Sequence, residues 1–451
     1  MGSIKPGRGI LSMRDSDRSG IGGTPDDTAT KSSDIDDFHD FVGLRSLLNP
    51  LWCYHGFRLA VVILTVFGVI MVFSSSSVNM IANGQSPWSQ ALKQGLFCAG
   101  GIVVAAMAMA IPSRAYRKCS GAFLVFALVL QFMTLTSLGV EVNGNKGWIG
   151  IPNVFTVQPA EIVKLALCIW MPGELIDARE KVRKGAKPLE LLRAYDRLLV
   201  GYLASLILIV AGKDLGTAMI VVAIGCIALL LGDFPVKALG TAMIVVAIGC
   251  IALLLGDFPV KALLASVAVC VAGVIVLVIV SPNRVQRIMA VYQECSASDL
   301  EGVCYQAIHG KYAIASGGLL GVGIGNSGEK WGYLPEAHND FIFAIIGEET
   351  GFVGAALVIL LFFVLGWSMM VIALKTYDRY ISIVLICIAV WIVGQAFVNI
   401  GVVVGIFPVV GVPMPFVSAG GSSLIMCLGA AGVAISMMKE QPQIKVEARR
   451  V

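Results

Sequence analysis

The chain holds more uninterrupted apolar runs than a water-soluble fold of its size needs. A run of roughly 17 to 25 residues can cross a hydrocarbon core as a helix. Candidates fall at 57–77, 91–112, 121–139, 159–176, 198–212, 216–232, 240–256, 262–281, 341–372, 380–405 and 421–438. A helix satisfies its own backbone hydrogen bonds, which a bilayer interior demands. Hydrophobic residues make up 57% of the 451 positions, and the mean hydropathy is +0.84. The 50 glycines suit close packing of helices in lipid. The expected fold class is an all-α polytopic membrane protein with membrane lipid around it, and neither a soluble domain nor a nucleic-acid binder.

The net charge of +4 says little, but the placement of basic residues says much. They cluster at Arg45 and Arg58, at Arg114, Arg117 and Lys118, and from Arg179 through Lys187 to Arg197. Further clusters are Lys375 with Arg379, and Lys439 through Arg450. Short basic loops stay cytoplasmic. That rule puts both termini inside and residues 140–158, 282–340 and 406–420 outside. Residues 1–56 mix Gly, Ser, Asp and Arg without hydrophobic period and read as a disordered cytoplasmic tail. No cleavable signal is apparent. Residues 57–438 form the membrane domain and 439–451 a cytoplasmic tail.

One feature breaks the parity. Residues 216–239, "GTAMIVVAIGCIALLLGDFPVKAL", recur unchanged at 240–263. Old internal repeats diverge and usually recur on longer periods, so an identical copy reads as a recent tandem duplication or as an error in how the gene's sequence was assembled. Eleven spans would carry the basic tail and Lys375–Arg379 outside. Ten satisfy the charges, so one of the runs between 216 and 281 is expected not to cross.

Charge is scarce, at 14% of residues, yet it gathers in "LPEAHNDFIFAIIGEE" (334–349). Glu336, Asp340, Glu348, Glu349 and His338, one of four histidines, lie there. Four other outer features stand out. In "NGNKGWIGIPNVFTVQPAEIVKLA" (143–166), Pro159 suits a first helical turn. Glu161 and Lys164 share a helix face, as a functional pair or as a structural one. Arg284 and Arg287 in "NRVQRIMAVYQ" anchor at headgroups or hold a phosphate. The glycine-rich stretch 315–340 lacks a preceding strand and is no nucleotide loop. It reads as a flexible or re-entrant loop whose backbone approaches a bound ligand. The Pro/Gly-rich stretch 402–425, with Ser418, Ser422 and Ser423, can lie at membrane depth if it lines a cavity. Cys295 and Cys304 flank the polar "SASDLEGV" in the long outer segment, where a disulfide between them is favoured.

The stretches "YLPEAHNDFIFAIIGEETGFVGA", "PMPFVSAGGSSLI", "QPAEIVKLA" and "DLGTAM" resemble the SEDS family of shape, elongation, division and sporulation proteins. "PEAH" before "ND" and the second serine of "GGSS" are similar to its division branch rather than its elongation branch. The resemblance covers roughly residues 57–438. It implies ten transmembrane helices and a peptidoglycan glycosyltransferase that polymerises lipid II outside the cytoplasmic membrane of a bacterium, at the division septum. Its implied partners are a class B penicillin-binding protein transpeptidase and other divisome membrane proteins. Asp340 falls on the family's essential aspartate, with Asn339 in place of Thr. Lys146, Trp148, Gln158, Glu161 and Lys164 fall on the first outer motif, and Glu336, His338 and the region of Ser418 and Ser422 on the others. Three departures stand out. Gly147 replaces a second basic residue, Lys213 replaces a proline before "DLGT", and the duplication is foreign to the family pattern.

Glycosyl transfer from a polyprenyl pyrophosphate needs a carboxylate to take the proton of the attacking hydroxyl, a role expected of Asp340. The leaving pyrophosphate needs cationic groups or a divalent ion such as Mg or Mn. Lys146, Lys164, Arg284, Arg287 and Lys330 are the candidate cations; no covalent cofactor is expected. Displacement at the anomeric carbon should invert it. Glu348 and Glu349 are expected to pair inside the bundle. Two alternatives stay open from sequence: a lipid II transporter, and a noncatalytic scaffold for the transpeptidase.

Overall fold

A computed structural model describes residues 47–142, 145–151, 155–181, 193–231 and 304–448. Residues 1–46 of the expected tail 1–56, the second copy 240–263, the run 262–281, Arg284, Arg287 and Cys295 lie outside the described residues, and the tail's residues from Pro50 onward are helical instead.

Every apolar run within the described residues forms a helix. In chain order these are α1 (Pro50–Ala82), α2 (Ser89–Ala110), α3 (Ser113–Met133), α4 (Pro159–Lys181), α5 (Asp196–Ala211) and α6 (Leu215–Leu231). Then follow α7 (Tyr305–Gly317), α8 (Ile342–Lys375), α9 (Arg379–Val403), α10 (Gly421–Met438) and the short α11 (Pro442–Ala448). Six of them, α1, α2, α3, α8, α9 and α10, are long and apolar enough to cross a membrane. This is a multi-pass helical membrane protein.

Two helices start earlier than their apolar runs. α1 begins at Pro50 rather than 57, because Pro fits a first turn and Cys53, Tyr54 and Phe57 bury against the bundle. α3 begins at Ser113 rather than 121, taking Arg114, Arg117 and Lys118 into its first turns. Such side chains can lay their stems along the helix and keep their charges at the surface.

α4 is the axis of the bundle, buried at every position from Val163 to Gly173. It packs on α3, α6 and α9, while α10 lies along α2 and α8 along α1 and α9. α2 and α3 turn Leu92, Leu96, Val103, Val125, Phe126 and Val129 outward. Such a face is costly in water and natural against lipid.

The loop expected at 140–158 contains an antiparallel sheet, β1 (Gly139–Val142), β2 (Asn145–Ile151) and β3 (Phe155–Val157), in the order β1-β2-β3. Val140 faces Trp148 and Ile149 faces Val157 in register. Asn-Gly at 143–144, between "VEV" and "NKGWIGI", is the sequence signal for a hairpin. The Lys146 N–H donates to the Gly212 carbonyl at 3.0 Å, tying the sheet to the end of α5.

α8 has 34 residues but is broken at Gly351 (φ 67, ψ −167). Residues 352–375 alone measure about 36 Å at about 1.5 Å per residue, enough for a hydrocarbon core of about 30 Å. A break leaves carbonyls and N–H groups without helical partners. The glycine-rich loop supplies them. Val322 and Gly323 donate to the Glu348 and Glu349 carbonyls, and Phe352 and Val353 donate to the Gly318 and Leu319 carbonyls. The glycines of 315–340 therefore bring loop backbone against helix backbone, where the sequence pointed to a bound ligand. A Cβ on Gly321 would lie 2.2 Å from the Glu349 carbonyl oxygen.

The two ends of the bundle differ in chemistry. At one end Arg117 pairs with Asp177 at 2.6 Å, Gln441 donates to Thr376 Oγ1 at 2.6 Å, and Arg379 donates to the Leu231 carbonyl at 2.9 Å. The opposite end collects the outer motifs.

Candidate functional site

The site grows from one tight turn. Glu336 takes a left-handed conformation (φ 55), and its carbonyl accepts from Asn339 N at 3.0 Å and Phe341 N at 3.2 Å. Leu334, Ala337 and Phe341 are buried beneath the turn, so His338, Asn339 and Asp340 stand above an apolar base at the mouth of α8. The stretch leading into α10 docks on this turn. Ala419 N donates to the His338 carbonyl at 2.9 Å, and Ser418 Oγ donates to the Asn339 carbonyl at 2.7 Å. Ser418 Oγ also accepts from Met414 N at 2.7 Å, and Gln94 of α2 donates to the Ser418 carbonyl at 3.2 Å. The Ser418 hydroxyl is thus committed to holding loops together.

Asp340 is half-buried, with Oδ1 sheltered from solvent. Oδ2 faces Gly411, where an added Cβ would stand 3.6 Å away. Gly411 has φ 72, a conformation that glycine adopts without strain. Asn399 of α9 donates to both the Asp340 and the Val412 carbonyls, each at 2.8 Å.

A second group joins the first outer motif to the same end. Gln158 Nε2 donates to Asp214 Oδ2 at 2.7 Å, and Gln158 N donates to Ser422 Oγ at 3.3 Å. Asp214 also accepts from Thr217 N at 3.0 Å and Thr217 Oγ1 at 2.9 Å, capping the start of α6. Lys146 and Trp148 lie part-buried on β2, beside this group through the contact with Gly212.

Lys164 and Lys330 stand elsewhere. Lys164, 1% exposed, donates to Glu161 Oε1 and Gln395 Oε1, both at 2.8 Å, and lies 5.0 Å from the Trp391 ring centre. The expected Glu161–Lys164 pair is therefore formed, one turn inside the bundle. Lys330 is also buried. It donates to Glu349 Oε1 at 3.0 Å and to the Gly325 carbonyl at 2.5 Å, while Ser74 Oγ lies 2.7 Å from both Glu349 oxygens. Glu348 accepts from Ser327 Oγ at 2.5 Å and Gly328 N at 2.9 Å. Neither ammonium is directed at Asp340, because each already neutralises a buried carboxylate.

Burial pushes the His338 imidazole below its ordinary value, and the Glu336 carboxylate opposes the shift. Cys304 is disulfide-bonded, and Cys295, the partner favoured for it, lies outside the described residues. Among the described residues no three His, Cys, Asp or Glu side chains gather as a metal cage.

The sequence reading overlooked Gln94, Asp214, Gln395 and Asn399 as members of the site. Their signal was available. Gln94, Gln395 and Asn399 are amides inside apolar helical runs, where a polar side chain is costly unless partnered.

The profile of the Cell cycle protein family (FtsW, RodA and SpoVE) matches residues 55–239 and 236–443. The two stretches meet where the first copy of the repeat ends. The chain is 33% identical over 380 residues to the probable peptidoglycan glycosyltransferase FtsW of Trichlorobacter lovleyi, covering 84% of this chain and 91% of that one. It is 31% identical over 381 residues to stage V sporulation protein E of Bacillus subtilis, covering 84% and 94%. In fold it resembles a chain solved in a peptidoglycan synthase complex, with a TM-score of 0.61 at 21% identity, covering 86% of this chain and 98% of that one. The chain belongs to the FtsW, RodA and SpoVE family of cell cycle proteins.

Proposed function

We propose that this protein polymerises lipid II into glycan strands at the outer face of the cytoplasmic membrane during septal wall synthesis. The observation that carries the reading is the half-buried Asp340 carboxylate facing the bare Cα of Gly411, in a region held by hydrogen bonds from α2, α9 and the stretch before α10. Relatives named as probable peptidoglycan glycosyltransferases support the chemistry. The basic clusters that include Arg117 and Arg379 at the opposite end support both termini being cytoplasmic and this end facing outward.

In this reading Asp340 accepts the proton of the acceptor sugar hydroxyl as its oxygen bonds to the anomeric carbon of the donor. The bond from that carbon to the pyrophosphate oxygen breaks, and undecaprenyl pyrophosphate leaves with the electron pair. One displacement inverts the anomeric centre. General-base assistance of this kind contributes roughly 10²- to 10⁴-fold. Lys146 is assigned to the leaving pyrophosphate together with Arg284 and Arg287. Lys164 and Lys330 hold the scaffold. Trp148, Gln158 and Ser422 form the donor-side wall, and Glu336 and His338 shape the turn. A class B penicillin-binding protein transpeptidase is the proposed partner that crosslinks the product, within a larger set of division proteins.

Reconstitution with lipid II and the partner tests the reading. Asp340→Asn should insert, bind the partner and make no polymer. Near-normal polymer from that variant would overturn the assignment. Loss of polymer with partner binding intact separates an enzyme from a scaffold.

A further inference from the structure

We infer that Asn399 is a positioning residue that sets the Asp340 carboxylate for proton transfer, an inference that rests on the base assignment above. Trp391, Gln395 and Asn399 recur every four residues on α9 and so form one stripe along the helix. Both amides are buried in a helix that is otherwise apolar along this stretch. Gln395 joins Lys164 and the Trp391 indole N–H through its Oε1, and donates to the Pro413 carbonyl at 2.8 Å. Asn399, one turn closer to Asp340, uses both hydrogens of a single Nδ2. One goes to the Asp340 carbonyl and the other to the Val412 carbonyl.

Those two carbonyls belong to different loops. The Asp340 main chain carries the carboxylate, and Val412 follows Gly411, the residue that the carboxylate faces. One rigid amide therefore fixes both walls of the space in which Oδ2 must meet a hydroxyl. Both partners are acceptors, so the amide orientation is determined: the NH₂ must face them. Asn399 Oδ1 has no hydrogen-bond partner among the described residues. The side chain acts here through its two donors, a combination that neither Asp nor Leu of similar size supplies.

The consequence is geometric. Reaction requires the base within hydrogen-bond reach of the hydroxyl, and a misplacement of about 1 Å can cost on the order of 10²-fold in rate. Without the tether the Asp340 carbonyl and the Gly411–Val412 segment lose their shared anchor and can shift, although Ser418 still joins Asn339 to Met414, while donor contacts on Gln158, Trp148 and β2 are untouched.

The test is a count of sites followed by a rate per site, in the full chain with its transpeptidase partner. Fluorescent lipid II binding gives stoichiometry and Kd, and polymerisation gives kcat. For Asn399→Leu and Asn399→Asp we expect unchanged stoichiometry, Kd and KM within about threefold, and kcat per site lowered on the order of 30-fold or more. Asn399→Ser, which keeps one donor, should fall between these and the parent. A per-site rate within threefold of the parent overturns the inference, as does a loss of sites in proportion to the loss of rate. If Asn399→Leu yields no sites, Asn399→Ser decides on the same criteria. Full activity of Asp340→Asn would sink the base assignment instead. An inactive Asp340→Asn beside an undiminished Asn399→Leu would sink only the tether.

Discussion

The Lys330 ammonium lies 3.0 Å from Glu349 Oε1, and both side chains are withdrawn from solvent beside the break in α8. This pair fixes the glycine-rich loop to the helix that carries the Asp340 turn at its mouth. Removing one member of a buried pair leaves an uncompensated charge and costs about 3–5 kcal/mol. Lys330→Met and Glu349→Gln should each destabilise the purified protein by that order. The double variant should recover a large part, because no lone charge remains. A double-mutant cycle in detergent unfolding measures the coupling. Additive losses would show that the two side chains act independently.

Gly321 and Gly318 separate close approach from backbone conformation. At Gly321 an added Cβ would stand 2.2 Å from the Glu349 carbonyl oxygen, at φ +80. At Gly318 nothing lies within 4 Å, and only φ +53 opposes a side chain. Gly318 pairs φ 53 with ψ −140, outside the left-handed helical region, so Gly318→Ala should cost about 1–3 kcal/mol from backbone strain alone. Gly321→Ala should cost more and release the Val322 and Gly323 hydrogen bonds to α8. Hydrogen exchange over 317–324 reads both effects. Equal protection in the two variants would refute the close-packing account.

The spans, the Glu161–Lys164 pair and the gathering of outer motifs were legible because each follows from a local rule. Apolar length gives a helix, spacing of three gives one face, and basic residues mark one end. The break in α8 was not legible. Gly351 sits in "GEETGFVGA", where its neighbours favour a helix, and only the loop that satisfies its orphaned groups reveals it. Charge makes Lys164 and Lys330 candidates for phosphate, and Lys164 also falls on the first outer motif. Their buried carboxylate partners are near in sequence, but which way the ammonium turns is decided by Gln395 and Ser74 from distant helices. The roles of Asn399 and Gln395 likewise depend on carbonyls of a loop that folds back on α9.

His338 gives the site an acid limit. Its ordinary value is 6.5, and burial lowers it in the folded turn, with Glu336 acting in the opposite direction. Above 6.5 the imidazole is neutral in both folded and unfolded chains, and its contribution to stability is complete. As pH falls through 6.5 the unfolded chain takes up a proton that the folded turn resists, so stability declines until the lowered folded value is passed. His338→Asn should flatten this part of the Tm profile between pH 7 and 5. An unchanged slope in the variant would assign the acid sensitivity to another group.

A divalent cation, if the reaction uses one, is predicted to arrive with the pyrophosphate. Mg in pyrophosphate and nucleotide sites takes few protein carboxylates and several phosphate oxygens. Chelation should then lower polymerisation without moving Tm, and Mg or Mn should restore the rate. A fall in Tm on chelation, in the absence of lipid II, would indicate a structural metal instead.

The duplicated segment is constrained by the two described ends around it. α6 starts beside Gln158 and ends with the Leu231 carbonyl bonded to Arg379, at the basic end. α7 begins at the other end, where Gln306 donates to the Pro335 carbonyl at 3.1 Å and His309 lies 2.6 Å from Glu329. From the sequence, one of the runs 216–232, 240–256 and 262–281 is expected not to cross; α6 covers the first, and the other two lie outside the described residues. Deleting 216–239 joins Leu215 to an identical copy, which restores the family arrangement without changing α6. We expect the shortened protein to match or exceed the parent in polymerisation. A single cysteine at the exposed Asn326 should react with an impermeant reagent from outside in both proteins. Labelling only from the cytoplasm, in an active protein, would reverse the topology and remove the site from its substrate.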